Sequence, residues 1–212
     1  MNLLQYYTDK GDLIEVSVDE LKLMLSDQTR KDEISDFIYK RHYYRYIKPF
    51  EYKSKKKLRS KKSDLLIDEY SLLFKNGFSV MANCCLLIET IESFYRGWSN
   101  SNYRSELGFL KFFTRDKNFK EFSTKDIPTE FYKNIRCGIL HQGETTGGWS
   151  VTRTKEKMLD LENKLIDATL FHEMLKQSLT DFKKELEASD WNSPLWKNIR
   201  TKLKSIIKST EK

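Results

Sequence analysis

The sequence has few residues that interrupt helices: only three of its 212 residues are proline and eight are glycine. Proline and glycine are the residues least favourable inside a helix, so their scarcity predicts a mainly helical chain. The first residues, MNLLQYYTDKGDL, lack the basic segment and apolar run of a secretory signal. No apolar run approaches the roughly 18 residues of a membrane span, so we expect no membrane partner.

Cysteine is also scarce, with only Cys84, Cys85 and Cys137 present. An odd number of cysteines without a signal peptide predicts free thiols and a cytoplasmic protein. Cys137 and His141 are four residues apart and share a helix face, so they could bind a metal ion with the other two thiols. Adjacent helical residues point about 100° apart, however, and no CxxC or HxxxH pair is present. Core packing of the thiols is the favoured alternative, and we expect no metal or cofactor.

The composition is that of a globular chain with amphipathic helices. Hydrophobic residues make up 39% of the sequence and aromatic residues 13%, which is enough to bury a core. Charged residues make up 33%, and the net charge is +7. A positive charge of this size suits an anionic partner such as nucleic acid, although many soluble proteins carry one without such a partner.

The N-terminal third contains a turn, a helix and a basic stretch. Residues 3–16 form two short apolar runs around TDKG, which predict a small hairpin. Ser17 begins the capping box SVDE and should start a helix that ends before Pro49. Residues 48–62 then hold eight Lys or Arg against one Glu. This basic stretch is either a solvated linker or a flexible arm that contacts RNA phosphates.

Helical spacing of apolar residues predicts a long core helix over about 64–97 and a shorter one over 99–115. Pro128 should begin the next helix, and Asp167 should cap the one after a weakly alternating stretch at 149–162 that suits a β-hairpin. A short helix anchored by Trp196 should close the chain. Leu107, Leu110 and Phe113 are expected to face inward from the shorter helix.

The predicted fold class is therefore all-α, an up-and-down helical bundle with room for small β-hairpins. We divide the chain into an N-terminal helix with its basic linker at 1–62, the bundle at 63–190 and a C-terminal short helix at 191–212. This architecture by itself predicts no function.

The stretch NIRCGILHQGETTGGW holds the candidate pair Arg136 and His141 at a helix end. On an α-helix, residues five positions apart point about 140° apart, so the spacing alone favours an ordinary helix terminus. His42 and His172 both lie in segments that suit helix packing. Glu89 and Glu92 flank the long apolar stripe, where one of them could meet Arg136, but a solvated flank is the favoured alternative.

The segment FYKNIRCGILHQGET, which follows the apolar helix NCCLLIETIESFYRG, resembles the HEPN domain family. That family is marked by an arginine, four to six further residues and a histidine at the end of its last core helix. Arg136 and His141 match the four-residue version. Many members have Asn, Asp or His after the arginine, whereas this chain has Cys137. The resemblance covers roughly residues 64–190.

The resemblance implies a HEPN-like bundle that forms a homodimer, with the two motifs facing each other across a cleft. It also implies metal-independent cleavage of RNA, with Arg136 and His141 as the catalytic residues, in a toxin–antitoxin or antiviral (abortive infection) system. An antitoxin or regulatory partner would then control the activity. The glycine-rich loop should let RNA approach closely, and the cleft should include Lys133, Cys137, Glu144 and Arg153.

Two alternatives without catalysis remain open at this point. The first is a non-catalytic HEPN module that binds RNA or a partner protein. Modules of that kind often lose the arginine or the histidine, and both are present here. The second is a helical interaction protein in which the basic stretch is only a tether.

Overall fold

A computed structural model describes residues 1–51, 76–124 and 126–211, together with the backbone of residues 57–59 and 66–68. The chain is mostly helical and carries small sheets. The strands β1–β7 are Asn2–Tyr7, Leu13–Ser17, Lys57–Arg59, Leu66–Asp68, Ser150–Thr152, Leu159–Asp160 and Leu165–Asp167. The helices α1–α7 are Val18–Ser26, Lys31–His42, Gly77–Arg96, Ser105–Arg115, Ile127–Glu130, Ala168–Ala188 and Pro194–Thr210. Shorter helical segments are Gln28–Arg30, Tyr43–Ile47, Lys48–Phe50 and Lys117–Phe122, and α5 continues as a π-helix, Phe131–Gln142.

The N-terminal hairpin and the Ser17 cap are as predicted: β1 pairs with β2 antiparallel, and Ser17 Oγ accepts from the Glu20 N–H at 3.1 Å. The prediction of a single helix that starts at Ser17 and ends before Pro49 is wrong, because the first helix ends at Asp27 and α2 begins at Lys31. Asp27 has an extended backbone, and its carboxylate accepts from the Thr29 N–H at 2.9 Å. Such a local hydrogen bond competes with helix continuation.

His42 lies in the core, in agreement with the packing alternative. Its ring is buried, Nδ1 lies 2.6 Å from the Ile38 carbonyl oxygen, and the edge of the ring meets Phe94. Burial lowers the pKa of His42 to about 3, so the imidazole is neutral near pH 7.

The long helix predicted over 64–97 starts later than expected. Leu66–Asp68 is a strand that pairs antiparallel with Lys57–Arg59, which belongs to the predicted basic linker, and α3 begins only at Gly77. The rest of both predictions, over 52–56, 60–65 and 69–75, lies outside the described residues. From Gly77 onward the apolar stripe is buried as predicted, including Met81, Cys84, Cys85, Ile88 and Ile91.

The α3 helix is long and apolar enough, by length and composition alone, to span a membrane. The expectation that no stretch approaches this length is therefore wrong. In the fold, 56% of the apolar window of α3 is buried, which is typical of the central helix of a packed core.

The inward face of α4 is only partly as predicted. Phe113 is buried as expected, together with Phe109 and Phe112, but Leu107 and Leu110 are exposed. The buried rings belong to a larger aromatic cluster that gathers α4, the Lys117–Phe122 turns, the start of the π-helix and α6 around Phe113, Phe122, Phe131 and Phe171. Aromatic burial of this extent decides the rotation of α4, because each ring removes far more apolar surface from water than a leucine does.

The hairpin predicted at 149–162 is wrong in its pairing. Strands β5 and β6 both form, but they lie on either side of β7, parallel to it for β5 and antiparallel for β6. Asp167 ends β7 and caps α6 as predicted, accepting from the N–H groups of Thr169 and Leu170 at 2.9 Å.

The α7 helix runs for 17 residues, longer than the short helix predicted, and buries Trp196, Ile199 and Leu203. In the described residues, the N-terminal segment, the helices α3–α6 and α7 contribute to one contiguous core. The division of the chain at residues 62 and 190 stays a prediction.

Candidate active site

Arg136 and His141 lie together because their helix is wound more loosely than an α-helix. The segment Phe131–Gln142 is a π-helix, in which hydrogen bonds join residues five apart and bring such residues one above the other. Arg136 Nη1 lies 3.1 Å from His141 Nε2. The predicted divergence of about 140° assumed α-helical winding and is wrong.

This contact fixes the hydrogen-bonding role of the histidine. Arginine can only donate, so the contact requires an unprotonated Nε2 with a lone pair directed at the guanidinium. The side chain of His141 is exposed, so an incoming group can reach the ring from solvent.

Glu89 holds the other side of the guanidinium. Arg136 Nε donates to Glu89 Oε1 at 2.7 Å, and only 15% and 11% of the two side chains are exposed. Burial lowers the pKa of Arg136, but the hydrogen bond and charge of Glu89 outweigh it and leave the pKa above its ordinary value. The solvated flank expected for Glu89 is wrong, and the contact with Arg136 that we considered less favoured is present.

Two serine hydroxyl groups complete the surroundings of Glu89. Ser101 Oγ and Ser105 Oγ donate to Glu89 Oε2 at 3.3 and 3.2 Å. Each carboxylate oxygen is therefore occupied, one by the guanidinium and one by the hydroxyl groups. A carboxylate held in this way fixes its arginine partner in one orientation. Sequence reasoning missed both serines, although their spacing of four residues across the start of α4 places them on one side.

Glu92 is also buried, but it serves another purpose. It forms an ion pair with Arg115, whose Nη1 lies 2.9 Å from Glu92 Oε2, and its side chain is fully buried. Burial raises the pKa of Glu92, although the charge of Arg115 opposes the rise. The expected solvated flank is wrong here as well. Glu92 belongs to the contact between α3 and α4 and does not contact Arg136.

Tyr132 and Cys137 lie beside the guanidinium. The Arg136 Cζ atom lies 5.6 Å from the centroid of the Tyr132 ring, and Arg136 Nη1 lies 4.0 Å from Cys137 Sγ. Burial is the main cause that raises the pKa of Tyr132, and a hydrogen bond with Cys137 raises it further. The phenol is therefore protonated near neutral pH. Cys137 thus makes a weak sulfur contact with Arg136.

The other predicted site residues are less closely placed. Lys133 is exposed on the π-helix, three residues before Arg136, and Glu144 is exposed in the loop that follows. Arg153 Nε donates to Thr169 Oγ1 at 3.0 Å beside α6. Val151, two residues before Arg153, packs against Gly77 at the start of α3. Gly77 lies about 18 Å from Glu89 along the helix axis. This placement gives Arg153 no part in the cluster around Arg136.

The glycine-rich loop folds back onto the π-helix. Gly143 adopts φ 73° and ends the helix, the Thr146 N–H donates to the Asn134 carbonyl at 3.0 Å, and Trp149 Nε1 donates to Glu130 Oε2 at 3.1 Å. The close approach of RNA expected at this loop stays a prediction. The loop fixes the helix end that carries His141.

The thiols and the remaining histidine do not form a metal site with this pair. Cys84 and Cys85 are buried among core residues, and burial raises the pKa of both. Among the residues that the structure describes, no group of three His, Cys, Asp or Glu side chains could hold a metal ion. His172 is buried against Phe50, as expected for a packed helix histidine.

The arrangement combines an exposed imidazole with a guanidinium whose position is fixed by a carboxylate. Such a pair can accept a proton from a hydroxyl group and stabilise negative charge on an adjacent anion. No protein-family model, curated protein or solved structure matches the chain. A function for this chain is therefore proposed from the chemistry of this cluster.

Proposed function

We propose that the chain is a metal-independent endoribonuclease of the HEPN type, with Arg136 and His141 as its catalytic residues. The observation that carries the proposal is the 3.1 Å contact between Arg136 Nη1 and the exposed His141 Nε2. A helix terminus of purely structural role would direct its histidine to the last carbonyl groups. Here the ring instead faces a cation, an arrangement suited to an anionic substrate that can separate the two.

The proposed reaction begins when a phosphodiester enters between the two side chains. The Arg136 guanidinium binds the non-bridging oxygens of the phosphate and releases the lone pair of His141 Nε2. Nε2 then takes the proton of the adjacent 2′-hydroxyl group, whose oxygen attacks phosphorus. The bond to the 5′-oxygen breaks, leaving a 2′,3′-cyclic phosphate and a 5′-hydroxyl end.

The leaving 5′-oxygen needs a proton, and one neutral imidazole cannot both take and give one in the same step. We propose that His141 of a second copy supplies it in a homodimer, as an imidazolium that forms once the substrate has separated that ring from its own Arg136. The surface around Ser105 supports this arrangement, because Tyr103 in the turn before α4 and Leu107 and Leu110 on α4 are exposed, and Ser105 hydrogen-bonds to Glu89. Contiguous apolar side chains at a surface are typical of association sites.

RNA is the proposed partner because it supplies both the anion and the 2′-hydroxyl group. The net charge of +7 favours binding to it. An endoribonuclease in a cell must be restrained, so we propose a toxin or antiviral effector under the control of an antitoxin or regulatory partner. Such a protein would act in the cytoplasm.

The test is cleavage of single-stranded RNA by the purified protein in the presence of EDTA. We expect products that end in 2′,3′-cyclic phosphate and 5′-hydroxyl groups, and no cleavage of the same sequence made with 2′-deoxynucleotides. Light scattering should show a dimer. RNA binding without cleavage would favour the non-catalytic HEPN alternative, and a strict monomer would contradict the second histidine.

Glu89→Gln tests whether the carboxylate positions Arg136. The substitution keeps the shape of the side chain but removes the charge paired with Nε. Because the guanidinium then samples other orientations, we expect kcat to fall about tenfold with little change in KM. Glu162→Gln, which removes the same charge from the exposed turn between β6 and β7, is the control and should leave kcat unchanged. Equal rates for the two variants would contradict the positioning role.

A further inference from the structure

A polar cavity shares one wall with the Arg136–His141 cluster. Its volume is about 270 Å³, and it is bounded by Glu89 and Thr90 of α3, residues 100–102 of the following loop and Lys202 of α7. Glu89 contributes to both places, since one of its oxygens holds Arg136 and the other accepts from Ser101 of the cavity lining. A group bound in the cavity would therefore lie beside an anion bound at Arg136.

Lys202 lines this cavity without an ion-pair partner among the described residues, because the carboxylate in the same lining, Glu89, is paired with Arg136. Lys202 Nζ donates a hydrogen bond to the Ser99 carbonyl at 3.2 Å. Burial lowers the pKa of Lys202. The positive charge of Lys202 helps to lower the pKa of the buried His42, and this neutral ring carries no negative charge to stabilise the ammonium group. Holding a half-buried ammonium group in this way costs free energy, and a bound anion would offset that cost.

The rest of the lining suits a nucleotide. Asn100 and Asn102 are exposed amides, and Ser93 and Thr90 are hydroxyl residues on the opposite wall. Amide and hydroxyl groups hydrogen-bond the edges of unstacked bases, which is how single-stranded RNA is read by proteins. The volume of about 270 Å³ has room for a single base.

We propose that this cavity is the subsite for the nucleotide next to the cleaved bond, with Lys202 binding its phosphate. The proposal rests on the proposed ribonuclease function and extends it to substrate specificity. The RNA strand would then run from Arg136 and His141 past Glu89 to the C-terminal helix. The substrate class is single-stranded RNA, because a base can enter the cavity only when it is unpaired.

The test compares Lys202→Ala with Lys204→Ala. Both substitutions remove one positive charge from α7, but residues two apart on a helix point about 200° apart, and Lys204 faces a different groove beside Lys22. Binding of a fluorescent, uncleavable 2′-O-methyl RNA decamer is measured by anisotropy at several salt concentrations. We expect Lys202→Ala to weaken binding about five- to tenfold and to reduce the salt slope by about 0.7. Lys204→Ala should change binding less than twofold.

Binding and cleavage separate failure of the subsite from failure of the proposed function. If wild-type protein cleaves RNA but Lys202→Ala binds and cleaves normally, the subsite is wrong and the ribonuclease stands. If wild-type protein binds the decamer through Lys202 but cleaves nothing, the subsite stands and the ribonuclease is wrong. Equal weakening by both variants would mean non-specific charge attraction and overturn the subsite, as would a wild-type protein that binds no RNA.

Discussion

His141→Ala should reduce the rate of RNA cleavage about 1,000-fold, because the substitution removes the exposed imidazole that is proposed to accept the proton of the 2′-hydroxyl. The single-turnover rate with saturating protein, in EDTA, is the appropriate measurement, since it excludes effects on product release. The side chain is exposed, so the melting temperature should change by less than about 2 °C.

Gln142→Ala is the matched control for this substitution. Gln142 is the next residue of the same helix and is also exposed, so the two variants lose a polar side chain from the same turn. Cleavage by Gln142→Ala should remain within about twofold of wild type. The catalytic role of His141 fails if both variants cleave as fast as wild type does, or if both are equally slow.

Gly138→Ala should destabilise the protein more than the other substitutions proposed for it, with a loss of about 3 kcal/mol or more in the free energy of unfolding. A Cβ atom at this position would approach the Glu144 backbone oxygen to well under 3.0 Å and would lie 3.3 Å from Thr145 Cα. Both atoms belong to backbone held by the Thr146–Asn134 hydrogen bond, so neither can move without displacing the loop. Urea unfolding followed by circular dichroism measures the loss.

Gly143→Ala separates this steric effect from the general cost of replacing a helix-end glycine. Gly143 has φ 73° and nothing within 4 Å of a built Cβ atom, so only the left-handed conformation opposes alanine there. The expected cost is about 1–2 kcal/mol. Amide exchange at Thr146 should accelerate in Gly138→Ala far more than in Gly143→Ala. An alanine that is harmless at 138 would contradict the close approach of the loop.

Local signals in the sequence were sufficient for the caps and several helix starts. Ser17 and Asp167 accept the hydrogen bonds expected of N-cap residues, and Pro128 stands in the first turn of α5. Each of these depends on residues within three positions of one another, which is why composition and spacing predict them. The same holds for the helix end at Gly143.

Features set by distant contacts were not predictable in this way. Leu107 and Leu110 have the same helical spacing as buried residues do, but the aromatic cluster around Phe113 rotates α4 so that both are exposed. The parallel pairing of β5 with β7 likewise depends on packing between segments that the pattern at 149–162 does not specify.

The candidate pair shows the same limit at the scale of one helix. The motif residues were found from sequence, but their contact depends on π-helical winding, which apolar periodicity of this short segment does not distinguish from an α-helix. The sequence showed that Glu89 could reach Arg136. Whether the carboxylate contacts Arg136 or stays in solvent depends on Ser101 and Ser105, which approach it at the start of α4.

The contacts between α7 and the end of α3 decide when, during synthesis, the end of α3 can be held in place. Asn198 Nδ2 donates to the Tyr95 carbonyl at 2.7 Å, and Lys202 reaches the Ser99 carbonyl, so the last helix fastens the end of the helix that carries Glu89. Domains emerge from the ribosome with their N-terminal residues first. The end of the helix that carries Glu89 is therefore secured only after α7 has been synthesised.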